Sequence, residues 1–486
     1  MDIFLIFPIH LFLDINNLYN KIVYLIEEPR YFTDFKYHKL KLAYHRATMK
    51  SYYDYLLFNK INVKYINFDD TEKCYKELNN LKKNVNIYDL ADKVLEKKIK
   101  KILSNIVINK TLNFLVDEEL IKLNKNKFYN GTQYNHKNFY KWQRIRLGIL
   151  INADETPIGG KWSYDTENRK KLPDNVDIPP IYKLKSNEYI EEAKIYVDKH
   201  FSNNYGSLDY FIYPINHIDS KKWLLYFLKK KFENFGIYED AVSDKDPFLF
   251  HSVITPMMNI GLLTDNEVLN ITLKYQNKIS ISSFEGFIRQ IIGWRNYIYT
   301  IYLLEGDKLS KSNFLNNHNK LNKEIMWTAQ TNILPIDNII KKIVLYSYAH
   351  HIERLMYLGN YMLICMINPK DVYEIFMEWT IDAYEWVMIP NVYGMSQFAD
   401  AKLMMTRPYF SSSNYILKMS NYKKNTWCNT YDALYYNFIN THKKYLSSNY
   451  ATARQVVFWN KKSVKDKNEI LNIAKTYLTN FLKITF

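Results

Sequence analysis

The chain has 486 residues, with 66 Lys+Arg against 50 Asp+Glu and a formal charge of +16. Hydrophobic residues make up 47% and charged ones 24%, a balance that excludes a mainly disordered chain. Three cysteines (Cys74, Cys365, Cys428), none in a CxxC pair, exclude a disulfide scaffold and predict a reducing compartment. At about 150 residues per domain the length predicts roughly two to four domains.

The chain is rich in Lys, Asn, Ile and Tyr, as A/T-rich codons produce, so the charge alone does not define a nucleic-acid partner. No run reaches the roughly 18–20 apolar residues of a membrane span. The nearest candidate, residues 3–13, follows Asp2, contains Pro8 and His10 and stops at Asp14, so it is not a signal peptide. The expectation is an intracellular protein, cytoplasmic or nuclear, without a membrane partner.

Residues 3–7, 22–27 and 63–67 are β-branched and aromatic runs of strand length. Between the last two, Leu40, Tyr44, Ala47, Tyr52 and Leu56 are spaced as one helical face. This order predicts an α/β domain with a parallel sheet over residues 1–135. No GxGxxG follows its first strand, which excludes a dinucleotide domain of the fingerprint kind. Residues 154–180 hold Pro157, Pro173, Pro179, Pro180 and the pair Gly159-Gly160, the signature of an irregular connector, here set within 136–204. Helical periodicity then takes over at 223–235, 284–304, 336–366 and 369–386, with Asp219 or Ser220 as the expected cap of the first. The prediction for 205–486 is a larger all-α domain.

Walker, GxSxG, HExxH and paired-cysteine motifs are all missing, so the common hydrolase, NTPase and zinc readings have no foothold. The densest polar-aromatic segment is 284–297. There Arg289, Gly293 and Asn296 share one helical face, and Gln290, Trp294 and Tyr297 the next. Such a helix forms either a pocket wall for a polar aromatic ligand or an ordinary amphipathic face. His350 and His351 are adjacent, and as helix neighbours they point about 100° apart; His351 and Arg354 share a face. A loop carrying Arg407, Tyr409, Tyr415 and Lys418 combines phosphate-binding cations with stacking rings.

Eight segments stand in an order that resembles the photolyase/cryptochrome superfamily, and within it the bacterial-type photolyase-related branch that contains many (6-4) photolyases. They are 37–43 (YHKLKLA), 156–162 (TPIGGKW), 205–209 (YGSLD), 238–241 (YEDA), 247–253 (PFLFHSV), 285–295 (EGFIRQIIGWR), 348–355 (YAHHIERL) and 390–397 (PNVYGMSQ).

The resemblance implies FAD in the helical domain, UV-damaged DNA as substrate, and light-driven reversal of (6-4) pyrimidine photoproducts by a monomer. By position, Tyr238 and the turn Ser252, Val253, Ile254 and Thr255 match the binders of the cofactor's phosphates and ribityl chain. Arg289, Gln290 and Trp294 match another wall, Arg354 and Asp382 the ion pair beside the flavin ring, and Met388 and Asn391 the positions near its reactive edge. His351 matches the proton donor of (6-4) enzymes, with His350 beside it; the second histidine of animal enzymes is here Leu355. Arg407, Tyr409 and Lys418 are expected on DNA.

The branch's four-iron cluster is not expected, because its ligand positions fall at Pro335, Lys423, near Thr426 and around Cys428. An electron-supply tryptophan position holds Ile375, followed by Phe376, leaving Trp327, Trp379, Trp386 and Tyr415 as candidates. The α/β domain is the antenna-type domain of the family, with a second chromophore of ribityllumazine type as an open expectation. The alternatives are a cryptochrome-like photoreceptor without repair and a cyclobutane pyrimidine dimer photolyase. His351 disfavours the second. No long tail of the kind that signalling cryptochromes add follows the last predicted helix, which disfavours the first.

Overall fold

The computed structural model describes residues 2–480 and 482. The N-terminal part is a sheet of β1 (Ile3–Ile6), β2 (Ile22–Ile26), β3 (Val63–Ile66), β4 (Val85–Tyr88) and β5 (Ile106–Asn109). Their order is β3-β2-β1-β4-β5, and every pair is parallel. Parallel neighbours need crossovers, supplied between β2 and β3 by α1 (Lys39–Phe58), then by α2 (Thr71–Asn80) and α3 (Lys93–Ile102). β1 is buried at all four positions, as a central strand covered on both faces must be.

The connector region divides. Its helix His136–Leu147 packs against the segment Arg289–Arg295, while Glu188–His200 packs back on α1. Between them, 168–187 has no regular element. From His217 onward the described chain is helical. The first predicted helix there starts earlier than expected, because Asn216 is the cap and accepts from the Asp219 amide at 2.9 Å. The predicted run 336–366 is interrupted: the helix Leu334–Tyr346 stops at Ser347, which lies in the left-handed region at φ 51°. No described helix is long and apolar enough to cross a membrane.

Lys41 of α1 joins the two parts. Its buried ammonium donates to the carbonyls of Ala383 (2.5 Å) and Met377 (3.3 Å) and lies over the rings of Tyr37 and Tyr384. Burial pushes its pKa down to about 7, against the pull of Asp382.

Candidate functional site

Three π-helical turns, Arg289–Arg295, Glu353–Gly359 and Pro390–Ser396, interrupt the helices of this region. A π turn holds an extra residue, shifts the 3.6 register and is typical of functional sites. All three contribute side chains to one cavity of about 1530 Å³. Drug-sized ligands need about 300–1,000 Å³, so there is room for a dinucleotide-sized group and part of a second molecule.

Arg354 and Asp382 form a two-pronged ion pair in this wall, Nη1 to Oδ1 at 2.9 Å and Nη2 to Oδ2 at 3.2 Å. Arg354 Nε also donates to the Ala349 carbonyl at 2.6 Å. Asp382 is held from the other side by the Thr255 hydroxyl (2.6 Å), and Asn259 bonds its carbonyl (2.7 Å). Burial would raise the Asp382 carboxyl, but Arg354 and these bonds outweigh it and hold it below its ordinary value. Ser252, Val253 and Ile254 line the cavity beside Thr255. Val253 sits at φ 52°, a costly position for a β-branched residue and one that functional turns retain.

A second cluster surrounds Arg289. Its guanidinium lies 3.3 Å from Glu285, 3.6 Å from Glu239 and 3.5 Å from Asp165. Its Nη2 is buried without a hydrogen-bond partner, although it lines the cavity. Gln290 and Asn168 both donate to Glu239 at 2.7 Å. Gly286 is required here, since a Cβ would stand 2.8 Å from Asn168 Nδ2.

His351 begins the helical turn that leads into Glu353–Gly359 and has 48% of its side chain exposed, facing the cavity. Its Nε2 lies 3.2 Å from Asp240 Oδ1. Burial would lower its pKa, but the Asp240 bond and charge raise it above the ordinary 6.5. Behind it, His251 and His350 stack at 4.5 Å and 16°. Both have pKa values pushed well below ordinary by burial and by the neighbouring imidazoles. Burial thus disfavours the charged form of both, whereas Asp240 favours it at His351.

Of the predicted site residues, the wall brings together Ser252 to Thr255, Arg289, Gln290, Trp294, His351, Arg354, Asp382, Met388 and Asn391. Arg407, Tyr409, Tyr415, Lys418 and Trp386 also line it. Two expectations need correction. Tyr238 packs on Phe250 in a satellite apolar cluster and is outside the lining, because its ring is turned to Phe250 at 5.5 Å. His350 precedes the helix instead of lying within it, and it is buried behind the wall. The Thr255 hydroxyl is also committed to Asp382 and is not free for a phosphate.

Trp379 and Trp327 stand outside the wall but connect to it. Phe376 lines the cavity and meets Trp379 edge-on at 5.9 Å. Trp379 meets Trp327 at 6.2 Å, and Trp327 stacks on the partly exposed Tyr205 at 4.9 Å. Trp386 turns instead toward Phe114 and Tyr299. Residues given no role from sequence include His251, Glu239, Asp240 and the connector's Asp165, all in the lining. Their only signal was membership of the segments 238–241 and 247–253 and of the proline-rich stretch.

A second space lies at the carboxyl ends of β1 and β4, where a sheet of this topology offers a ligand crevice. It holds only about 10 Å³, room for about one water, between Ile9, Asp89 to Asp92 and Glu385. Arg30 fills this region, bonding Asp92 (2.9 Å) and Glu385. Burial and Asp92 push the Glu385 carboxyl up to about 7, against the pull of Arg30.

A parallel α/β sheet followed by helices around a large, charged cavity defines a two-part protein built to enclose a sizeable ligand. The family model for deoxyribodipyrimidine photo-lyase-related proteins matches residues 4–213. A (6-4) photolyase of Agrobacterium fabrum is 34% identical over 352 residues, which covers 70% of this chain and 69% of the relative. The crystal structure of a bacterial class III photolyase from Agrobacterium tumefaciens aligns at TM-score 0.57 and 12% identity, covering 99% of this chain and 98% of that one. An archaeal photolyase from Sulfolobus tokodaii, solved with two FAD molecules, aligns at TM-score 0.53 and 12% identity over 99% of this chain and 100% of that one. The chain belongs to the photolyase-related family of the photolyase/cryptochrome superfamily.

Proposed function

We propose that this protein is a flavin-dependent, light-driven DNA repair enzyme acting on (6-4) pyrimidine photoproducts. The observation that carries the reading is His351, a cavity-facing imidazole whose carboxylate partner raises its pKa, in the same wall as the Arg354–Asp382 pair.

The residues fit FAD. The cavity is large enough, and Arg289 Nη2 is a buried donor without a hydrogen bond, 3.6 Å from Glu239. Arg354 offers a cation balanced by a shielded carboxylate, the arrangement that suits an anionic reduced ring. Bound there, reduced FAD supplies the light-excited electron that the lesion accepts. Ser252 and the neighbouring backbone would hold the polar chain, Arg289 and Gln290 the opposite side, and Met388 and Asn391 would lie near the ring.

The lesion must leave the duplex to reach this cavity. Arg407 and Lys418 are exposed cations at its edge and suit phosphates, while Tyr409 suits stacking. His351 then donates its proton, which (6-4) repair needs because a hydroxyl must return to its original base. Splitting a cyclobutane dimer breaks bonds without that step. Phe376, Trp379, Trp327 and Tyr205 form the proposed route by which electrons reach the cavity from the surface. Trp327 Nε1 donates to Glu378 at 3.4 Å, a carboxylate suited to stabilising positive charge on that indole. No iron–sulfur cluster is proposed, since Cys428 is the single thiol among the matched ligand positions and one thiol cannot hold a cluster.

A repair assay tests the reading. Reduced protein is illuminated with oligonucleotides carrying either a (6-4) product or a cyclobutane dimer, with dark controls. Light-dependent loss of the (6-4) lesion supports it. Repair of the dimer alone, or of neither, overturns it.

A further inference from the structure

Seven of the fourteen methionines line the large cavity. Met356 and Met395 come from the second and third π turns, Met388 from the helix Glu385–Ile389 and Met404 and Met405 from the loop after the third turn, with Met258 and Met419 completing the set. Away from the cavity, Met49, Met257, Met326, Met362 and Met377 are core residues. Met366 alone among the remaining described methionines is partly exposed. Met395 and Met405 are half-buried on this wall, while the other five are buried, at 9% exposure or less. Leucine would pack such a wall as well and would be inert to oxidants.

Thiols do not compete for that chemistry. Cys74, Cys365 and Cys428 are free, buried and outside the lining. Burial raises the pKa of Cys74 to about 11 and that of Cys365 higher still, which suppresses the reactive thiolate.

We propose that the methionine wall is a modification site, where cavity thioethers are converted to methionine sulfoxide by peroxide formed in place. The inference rests on the flavin reading above. Molecular oxygen takes two electrons and two protons from the reduced cofactor and becomes hydrogen peroxide. A methionine sulfur then attacks one peroxide oxygen; the S–O bond forms as the O–O bond breaks, and the second oxygen departs with both protons as water. Sulfur is oxidised by two electrons and the peroxide is reduced. The product is polar and chiral where the wall was soft and apolar, and reductases specific for methionine sulfoxide reverse it. The wall thus intercepts oxidant before it reaches His351 or the Trp379–Trp327 route, and records light exposure in a reversible form.

The test uses purified protein whose absorption spectrum has first established bound flavin. It is reduced and illuminated with blue light in air, in the dark, without oxygen, and in air with catalase, and peptide mass spectrometry then measures added oxygen at each methionine. The expected result is light- and oxygen-dependent oxidation of Met395 and Met405, several-fold ahead of the equally half-buried Met366, undiminished by catalase in the bulk solvent and reversed by a sulfoxide reductase. Flavin-loaded protein in which Met366 oxidises as fast as the cavity residues, or in which catalase protects them, overturns the proposal. A preparation without flavin absorption overturns the underlying reading instead, so the two failures are distinct.

Discussion

Nε2 of His351 lies 3.2 Å from Oδ1 of Asp240, and this contact favours the charged form of a cavity-facing imidazole. His251 and His350 are pushed the other way by burial and by the neighbouring imidazoles, although Glu353 lies 3.6 Å from His350 Nε2.

The pH dependence follows from the sign of that shift. With its pKa raised above 6.5, His351 keeps its acid form to higher pH than a free imidazole, and repair falls as pH rises through the raised value. Asp240→Asn removes the charge that raises it. The alkaline limb of the single-turnover repair rate then moves to lower pH, while flavin content is unchanged. A limb that does not move would contradict the role given to Asp240.

Arg354 and Asp382 are nearly buried, and removing either leaves the other unpaired. Arg354→Ala is expected to destabilise the fold by about 3–5 kcal/mol, the usual penalty for an uncompensated buried charge. Denaturant midpoints measure this, and gel filtration measures the accompanying loss of flavin. Because the Asp382 carboxyl is held below its ordinary 3.8, the stability it contributes is present above that value and fades as pH falls through the depressed one.

The aromatic route from Phe376 to Tyr205 predicts a graded effect on photoreduction. Trp379→Phe and Trp327→Phe each slow light-driven reduction of oxidised flavin, while Trp386→Phe, whose ring turns toward Phe114, leaves it nearly unchanged. Transient absorption reads the difference. Protein reduced chemically beforehand keeps its repair activity in all three variants.

Glu385 gives a stability signature of opposite sign to Asp382. Its pKa rises from 4.5 to about 7 on folding, so the stability it contributes is fully present below 4.5 and is lost as pH rises toward and through 7. Glu385→Gln flattens that part of the profile of thermal midpoint against pH. An equally steep loss in the variant would assign the effect to another group.

The parallel sheet was legible where apolar runs were long and uninterrupted, as at β1 and β2. β4 and β5 were not, because both are set among lysine-rich helical stretches. The cavity residues on 285–295 and 348–355 were legible through the resemblance, but the π turns that aim them were not, since they break the 3.6 periodicity used to find helices. Asp240 stood beside Tyr238 in the same short motif, and sequence alone had no means of telling which would turn inward. Packing decided it: the Tyr238 ring took the apolar satellite on Phe250, and the carboxylates of Glu239 and Asp240 took the cavity.

The central claim is that His351 supplies the proton in (6-4) repair, and His351→Asn tests it most directly. Reduced variant and wild type, matched in flavin content and in affinity for lesion DNA, are compared in single-turnover repair under blue light. Removing a general acid predicts a loss of about 10²–10⁴-fold with cofactor and DNA still bound. Repair by the variant at the wild-type rate would contradict the account.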